Sequence, residues 1–265
     1  MKIVIHRGTH QIGGIATEIS TEKSRILIDM GDELSLDPDF VSSPLNIPGV
    51  TDANGKCDAV FFTHYHGDHT GQMTRIRDDI PLYAGALAKE IMQLTAERSY
   101  HKDQVLCDRI KALHTFNGGE EVVIGDIRIT PWSIDHSACD SYLFLIEADG
   151  KRVLYTGDFR MHGFRGKALP KLLHKIGKVD VLITEGTTLS RPDEKPMTEH
   201  DLQHKIRKYM HHTLSLTGKP YGTRWRKQSE ERKRSLHTAL TLLCRTSFPC
   251  RRTSSLQGNF CWNSL

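Results

Sequence analysis

Thr63-His64-Tyr65-His66-Gly67-Asp68-His69 follows directly on the apolar run Asp58-Ala59-Val60-Phe61-Phe62. The run reads as a buried strand, so the stretch after it is a loop at a strand's carboxyl end. Three imidazoles and a carboxylate fall within the six residues His64 to His69. Imidazole nitrogen and carboxylate oxygen are the donors that borderline cations such as zinc accept, and a tight loop can aim alternate side chains at two neighbouring ions. A metal site is therefore expected here, and one loop cannot complete a two-metal site.

The remaining ligands are expected at other strand ends. Trp132-Ser133-Ile134-Asp135-His136-Ser137 places a histidine just after a strand, and Leu154-Tyr155-Thr156-Gly157-Asp158-Phe159-Arg160 places an aspartate after another. Glycine beside Asp158 lets the backbone come close to the metals.

The elements around these motifs can be read from periodicity and turn chemistry. Lys2–His6, Ile15–Ser20 and Arg25–Asp29 read as a meander of strands, with glycines at the turns. His6 and His10, flanking the Gly8–Gly14 turn, are assigned to structure. Pro81–Ala84 reads as a strand and Ala86–Arg98 as a helix with Leu87, Ala88, Ile91 and Leu94 at helical spacing. Glu121–Ile134 reads as one strand, and Ser141–Ile146 pairs with Arg152–Thr156 through an Asp149-Gly150 hairpin turn. Leu169–Ile176 is a short helix and Val179–Thr184 a buried strand. Thr198-Glu199-His200-Asp201 matches a helix N-terminus, and that helix runs to about His211.

The chain has 265 residues, of which 38% are hydrophobic, enough to fill a core. No apolar run is long enough to span a bilayer, and the N-terminus enters a strand pattern without a signal-peptide core, so a cytoplasmic protein without membrane contact is expected. The net charge of +4 conceals an asymmetry: residues 213–265 hold ten Lys/Arg against two acids, whereas residues 1–212 hold 26 against 30. Whole-chain basicity therefore gives no support to nucleic-acid binding by the folded part. The six cysteines include no Cys-x-x-Cys pair and are read as free thiols, with Cys139 a small buried hydrophobe.

Past about residue 213 Ser, Thr, Arg, Lys and Cys crowd together, and only Leu236–Leu243 has an apolar helical face. The basic run Arg224 to Arg234, with Trp225, is read as a solvated or out-of-frame tail rather than an RNA-binding segment.

His64-x-His66-x-Asp68-His69, then His136, then Asp158, resembles the signature of metallo-β-lactamase fold hydrolases over residues 1–212. Ile28-Asp29-Met30-Gly31, Asp135-His136-Ser137, Tyr155-Thr156-Gly157-Asp158-Phe159-Arg160 and Thr184-Glu185-Gly186-Thr187 are similar to the β-CASP, ribonuclease J-like branch. The resemblance implies an α/β, four-layer αββα sandwich, incomplete at the C-terminus. It further implies a metallo-β-lactamase-like domain over 1–197, the start of a cap-domain helix over 198–212, and a basic tail over 213–265.

Carried over residue by residue, His64, His66 and His136 would hold a first zinc, Asp68 and His69 a second, and Asp158 would bridge them. Manganese is the alternative ion. Asp29 would hydrogen-bond a ligand imidazole, and Glu185 would help to orient the site. A metal-bound hydroxide would attack phosphorus in RNA or another phosphodiester, with Asp68 accepting the proton of the water. The family's two later histidines have no counterpart in recognisable context, since His211, His212 and His237 are the histidines that follow His204. The second metal is therefore expected to be weakened, and nuclease activity impaired if the chain is truncated or frame-shifted. The alternatives are a thioester or lactone hydrolase, a fragment that binds metal without turnover, and a di-iron oxidoreductase, which His66 disfavours because those proteins carry glutamate there. Homo-oligomers are left open.

Overall fold

The computed structural model describes residues 1–216, apart from 38, 99–102 and 190–196, with the side chains of 211–216 also left aside. Two sheets form the frame. The first contains β1 (Lys2–Arg7), β2 (Ala16–Ser20), β3 (Arg25–Ile28), β4 (Ala59–Phe61), β5 (Leu82–Gly85) and β6 (His114–Phe116), in that order. β1 to β3 are the antiparallel meander, whereas β3 to β6 run parallel. The second sheet contains β7 (Val122–Ile124), β8 (Ile127–Ile134), β9 (Ser141–Ala148), β10 (Lys151–Tyr155) and β11 (Val181–Ile183), ordered β11-β10-β9-β8-β7. The helices are α1 (Gly67–Thr70), α2 (Ala86–Arg98), α3 (Gln104–Ala112), α4 (Leu169–Ile176) and α5 (Glu199–Leu216).

Period-2 alternation explains the layering. In β3, Ile26 and Ile28 join Phe61 of β4 and Phe144, Ile146 and Val153 of the second sheet in one buried cluster between the sheets. Leu27 and Val60 face the other way and pack with Met92 of α2 and Cys107 and Ile110 of α3. On the outer face of the second sheet Leu143, Leu145 and Leu154 pack with Leu169 and Ile176 of α4. Central strands that are apolar on both faces need cover on both, which gives the αββα sandwich of the metallo-β-lactamase type. Burying one such leucine or isoleucine contributes about 1.5–3 kcal/mol.

Four local readings are corrected, and two elements without a sequence reading are added. Glu121–Ile134 is a hairpin, β7 pairing with β8, because Gly125 turns the chain at φ +59°. The apolar stripe of α2 that is buried is Ala88, Met92 and Ala96, whereas Leu87 and Leu94 are exposed. α3 and β6 had no strong periodic signal; Asp103 starts the helix by accepting a hydrogen bond from the Leu106 amide at 3.2 Å. The strand read as buried over Val179–Thr184 is the three-residue β11, at a sheet edge, with Leu182 57% exposed. Cys139 is exposed, because it lies in the loop after β8 rather than under a sheet.

The Asp149-Gly150 turn is present, both residues having positive φ as a two-residue hairpin of this kind requires. Thr198 and Asp201 cap α5 reciprocally: the Asp201 amide donates to Thr198 Oγ1 at 3.1 Å and the Thr198 amide to Asp201 Oδ2 at 3.1 Å. Residues Met1–Ile206 make one compact unit. His237, the basic run Arg224 to Arg234, Leu236–Leu243, Cys244, Cys250 and Cys261 lie outside the described residues. Among the described residues no helix is long and apolar enough to cross a membrane.

One ion-pair network joins the first three strands. Glu18 Oε2 meets Arg25 Nη2 at 2.7 Å and His6 Nε2 at 2.9 Å. Burial alone would raise the Glu18 carboxyl, but hydrogen bonds and charge from Arg25 and His6 hold it below the ordinary glutamate range. A carboxyl depressed in the folded state contributes stability above its unfolded pKa and loses it as pH falls through the folded value. Glu18→Gln is therefore expected to cost about 1–2 kcal/mol at pH 7 and much less at pH 3. Urea unfolding at both pH values checks this; an equal loss at both would remove the ionic explanation.

Candidate metal centre

The site lies at the carboxyl ends of strands from both sheets. β4 delivers Thr63 and His64, the turn into α1 delivers His66, α1 itself carries Asp68 and His69, β8 delivers His136, and β10 delivers Asp158. Asp29 follows β3 and Glu185 follows β11. The segment after β3 pairs with the histidine-rich loop: the Met30 amide donates to the His69 carbonyl at 2.8 Å and the Asp32 amide to Gly67 at 2.9 Å. Gly31 lies between them, so close that a Cβ there would stand 1.6 Å from the Asp68 carbonyl oxygen.

Two sets of donor atoms converge, and His64 belongs to both. The first is His64, His66 and His136; the second is His64, His69 and Asp158. His64 Nε2 is 3.1 Å from His66 Nδ1, which is 3.3 Å from His136 Nε2. Nitrogens bound at 2.0–2.1 Å to one tetrahedral zinc stand about 3.3 Å apart, so the set has the spacing of a zinc site. His69 is fully buried, and its Nε2 has no hydrogen-bond partner. That nitrogen faces Asp158 Oδ1 at 3.5 Å and Asp68 Oδ2 at 3.8 Å. A buried polar atom left unpaired costs about 1–3 kcal/mol unless something supplies its partner, and a cation among these donors would do so. The donor set therefore fits a divalent metal.

Protonation follows the surroundings. Burial, then the charge of neighbouring imidazoles, pushes His64 well below the ordinary histidine range, and burial lowers His66 and brings His136 to about 4. These three are neutral at pH 7, with lone pairs available for a metal. His69 behaves differently. Burial opposes its charge, but Asp29 and Asp158 outweigh burial and raise it well above the ordinary range. Asp158 is lowered despite burial by its contact with His69, while burial raises Asp68 and Glu185.

Asp29 is a hub rather than a ligand. Fully buried and at φ +60°, it accepts hydrogen bonds from His69 Nδ1 at 2.9 Å, the Thr63 amide at 2.8 Å and the Tyr155 hydroxyl at 3.3 Å. A left-handed aspartate is tolerated but uncommon, and its persistence here coincides with the site. Glu185 Oε1 accepts from the Phe159 amide at 2.7 Å, which pins the backbone next to Asp158. Arg160 ties the same loop outward, Nε donating to Asp135 Oδ1 at 2.7 Å and Nη2 reaching Glu199 Oε1 of α5 at 2.6 Å.

Reading the sequence missed Thr63, Tyr155 and the Asp135–Arg160–Glu199 chain. The first two lie inside the motifs quoted above, and their adjacency to His64 and Asp158 was the available signal. Nothing in the sequence pairs Arg160 with Glu199.

A family model described as the β-lactamase superfamily domain matches residues 24–217. The chain belongs to the β-lactamase superfamily. Among superfamily relatives, an RNase J-like protein of Methanocaldococcus jannaschii is 28% identical over 81% of this chain and 49% of its own length. The transcription termination factor FttA of Methanothermobacter thermautotrophicus is 27% identical over 80% of this chain and 35% of its own. The chain thus spans between about a third and a half of these curated relatives. A solved protein of unknown function from Enterococcus faecalis V583 superposes with a TM-score of 0.67 at 22% identity, over 79% of this chain and 57% of that one, which shows the fold.

Proposed function

We propose that this chain is the metal-binding portion of a zinc-dependent phosphodiesterase acting on RNA, of the β-CASP, ribonuclease J-like branch. The observation that carries the reading is the pair of donor sets sharing His64, with the buried His69 Nε2 left unpartnered beside them. Relatives named for ribonuclease activity support RNA as the substrate class.

His64 Nε2, His66 Nδ1 and His136 Nε2 would hold the first zinc; His69, Asp68 and Asp158 would hold a second, weaker one, with manganese as an alternative ion. When bound, such ions make hydroxide available at neutral pH and neutralise charge on the attacking and leaving oxygens of a phosphodiester. Asp68 takes the proton from the attacking water at its carboxylate, for which a partly buried carboxyl with raised proton affinity is suited. Asp29 and Glu185 touch no reacting atom; they hold His69 and the Asp158 loop in place. Residues 1–197 would carry this site as a metallo-β-lactamase-like domain, and 198–212 would be the start of a cap-domain helix.

Zinc bound per chain, measured by inductively coupled plasma mass spectrometry, is expected to be at least one; finding neither zinc nor manganese would overturn the reading. Cleavage of single-stranded RNA and bis-p-nitrophenyl phosphate is expected to stop on chelation and return with zinc or manganese. Hydrolysis of thioesters or lactones without cleavage of either phosphodiester would select the small-molecule alternative.

A further inference from the structure

Thr63 is buried in the loop that leaves β4, and its hydroxyl stands among four hydrogen-bonding atoms. Oγ1 is 3.1 Å from Asp29 Oδ1, 3.0 Å from Asp29 Oδ2, 3.1 Å from His64 Nδ1 and 3.3 Å from His69 Nδ1. A hydroxyl has one proton to donate and two lone pairs. The other contacts of Asp29, from the Thr63 amide, the Tyr155 hydroxyl and His69 Nδ1, all come from groups able to donate, which marks the carboxylate as the acceptor. The single Thr63 proton therefore goes to Asp29. Lone pairs are what Oγ1 then offers His64, so His64 Nδ1 must carry the ring proton. His69 needs no such intermediary, because its Nδ1 donates straight to Asp29 Oδ2 at 2.9 Å.

We propose that Thr63 is a positioning residue that sets the tautomer of His64, so that Asp29 orients two imidazoles at once, His69 directly and His64 through the Thr63 hydroxyl. Both rings thereby carry a proton on Nδ1 and turn Nε2 toward the donor sets, His64 Nε2 free beside His66 Nδ1 and His69 Nε2 facing Asp158. His64 is the residue common to both donor sets and a ligand of the first zinc in the reading above, so one hydroxyl orients a donor at the centre of the site. Outer hydrogen-bond partners of metal-ligating histidines typically change metal affinity 10- to 100-fold.

The tautomer is independent of any metal, whereas the effect on affinity rests on the zinc reading above; the test separates them. In the metal-free full chain labelled with ¹⁵N-histidine, long-range ¹H–¹⁵N correlation spectra report which nitrogen of His64 carries the proton. The wild type and Thr63→Ser are expected to show Nδ1–H at both His64 and His69. Thr63→Val, similar in shape but lacking the hydroxyl, is expected to lose the preference at His64 and keep it at His69. Zinc affinity by chelator competition is expected to fall about 10- to 100-fold in Thr63→Val and to recover in Thr63→Ser. A wild-type His64 protonated on Nε2 overturns the proposal whether or not the variant folds, as does a Thr63→Val protein with unchanged tautomer and affinity. Wild-type protein with the expected tautomers but no affinity for zinc would sink the metal reading and leave the tautomer assignment standing.

Discussion

Asp68→Ala is expected to lower phosphodiester cleavage by roughly 10²–10⁴-fold, the usual contribution of a positioned proton acceptor, or more because it also removes a proposed ligand of the second metal. The same variant is expected to retain zinc in the first set, since His64, His66 and His136 come from separate positions and none depends on Asp68 for a hydrogen bond. Asp68 also lies at the surface of the second set, 3.8 Å from His69 Nε2 and partly exposed, so its loss leaves the core intact. Steady-state cleavage of bis-p-nitrophenyl phosphate together with zinc content per chain separates these effects. Activity at the parent level would assign the cleavage to a contaminant. Loss of all zinc would mean that the two sets do not bind independently.

Gly31→Ala is expected to be more damaging than any substitution in the histidine-rich loop itself, although position 31 contributes no ligand. A Cβ there overlaps the Asp68 carbonyl, with its carbon 1.9 Å and the His69 amide nitrogen 2.4 Å away. Backbone atoms on both sides leave no flexible side chain to yield, so the segments must part. Separation breaks the Met30–His69 and Asp32–Gly67 hydrogen bonds and moves Asp68 and His69 together. The cost is about 4 kcal/mol or more, the range reserved for severe overpacking, which in a domain of this size lowers Tm by about 8–16 °C. Gly67→Ala supplies the contrast. A Cβ at Gly67 meets nothing within 4 Å, and as the exposed first residue of α1 it is expected to be neutral or to stabilise by up to about 1 kcal/mol. Thermal unfolding and zinc content of the two variants, measured together, test the packing of the loop; equal behaviour would refute it.

These two glycines also show what a linear reading can carry. Gly67 lies within the conspicuous motif and Gly31 lies 36 positions earlier in sequence, yet the crowding belongs to Gly31. Spacing marked the donor residues that the structure brings near one another. The four layers were implied by the resemblance of the motifs, and the structure shows their physical basis: β3, β4, β9 and β10 are apolar on both faces and must be covered on both. Short elements failed for a physical reason. β6 and β11 are three residues each, too brief to show a period, and pairing with distant strands fixes them; α3, nine residues long, buries only Cys107, Arg109 and Ile110, too few apolar positions to mark a face. Cys139 was misjudged because a thiol's burial depends on which loop carries it rather than on its own polarity.

The sequence by itself determined the donor types this protein offers: three imidazoles and a carboxylate in one loop, with further donors at His136 and Asp158, at the ends of segments patterned as strands. Those are local properties, set by residue type and by side-chain alternation along a strand. Only the tertiary structure decided how the donors are grouped, with His64 common to two sets, and how they are held, with Asp29 reaching His69, Thr63 and Tyr155. The reason is that hydrogen bonds and close backbone approaches join residues brought together by the meeting of two sheets, and no spacing along the chain encodes that meeting.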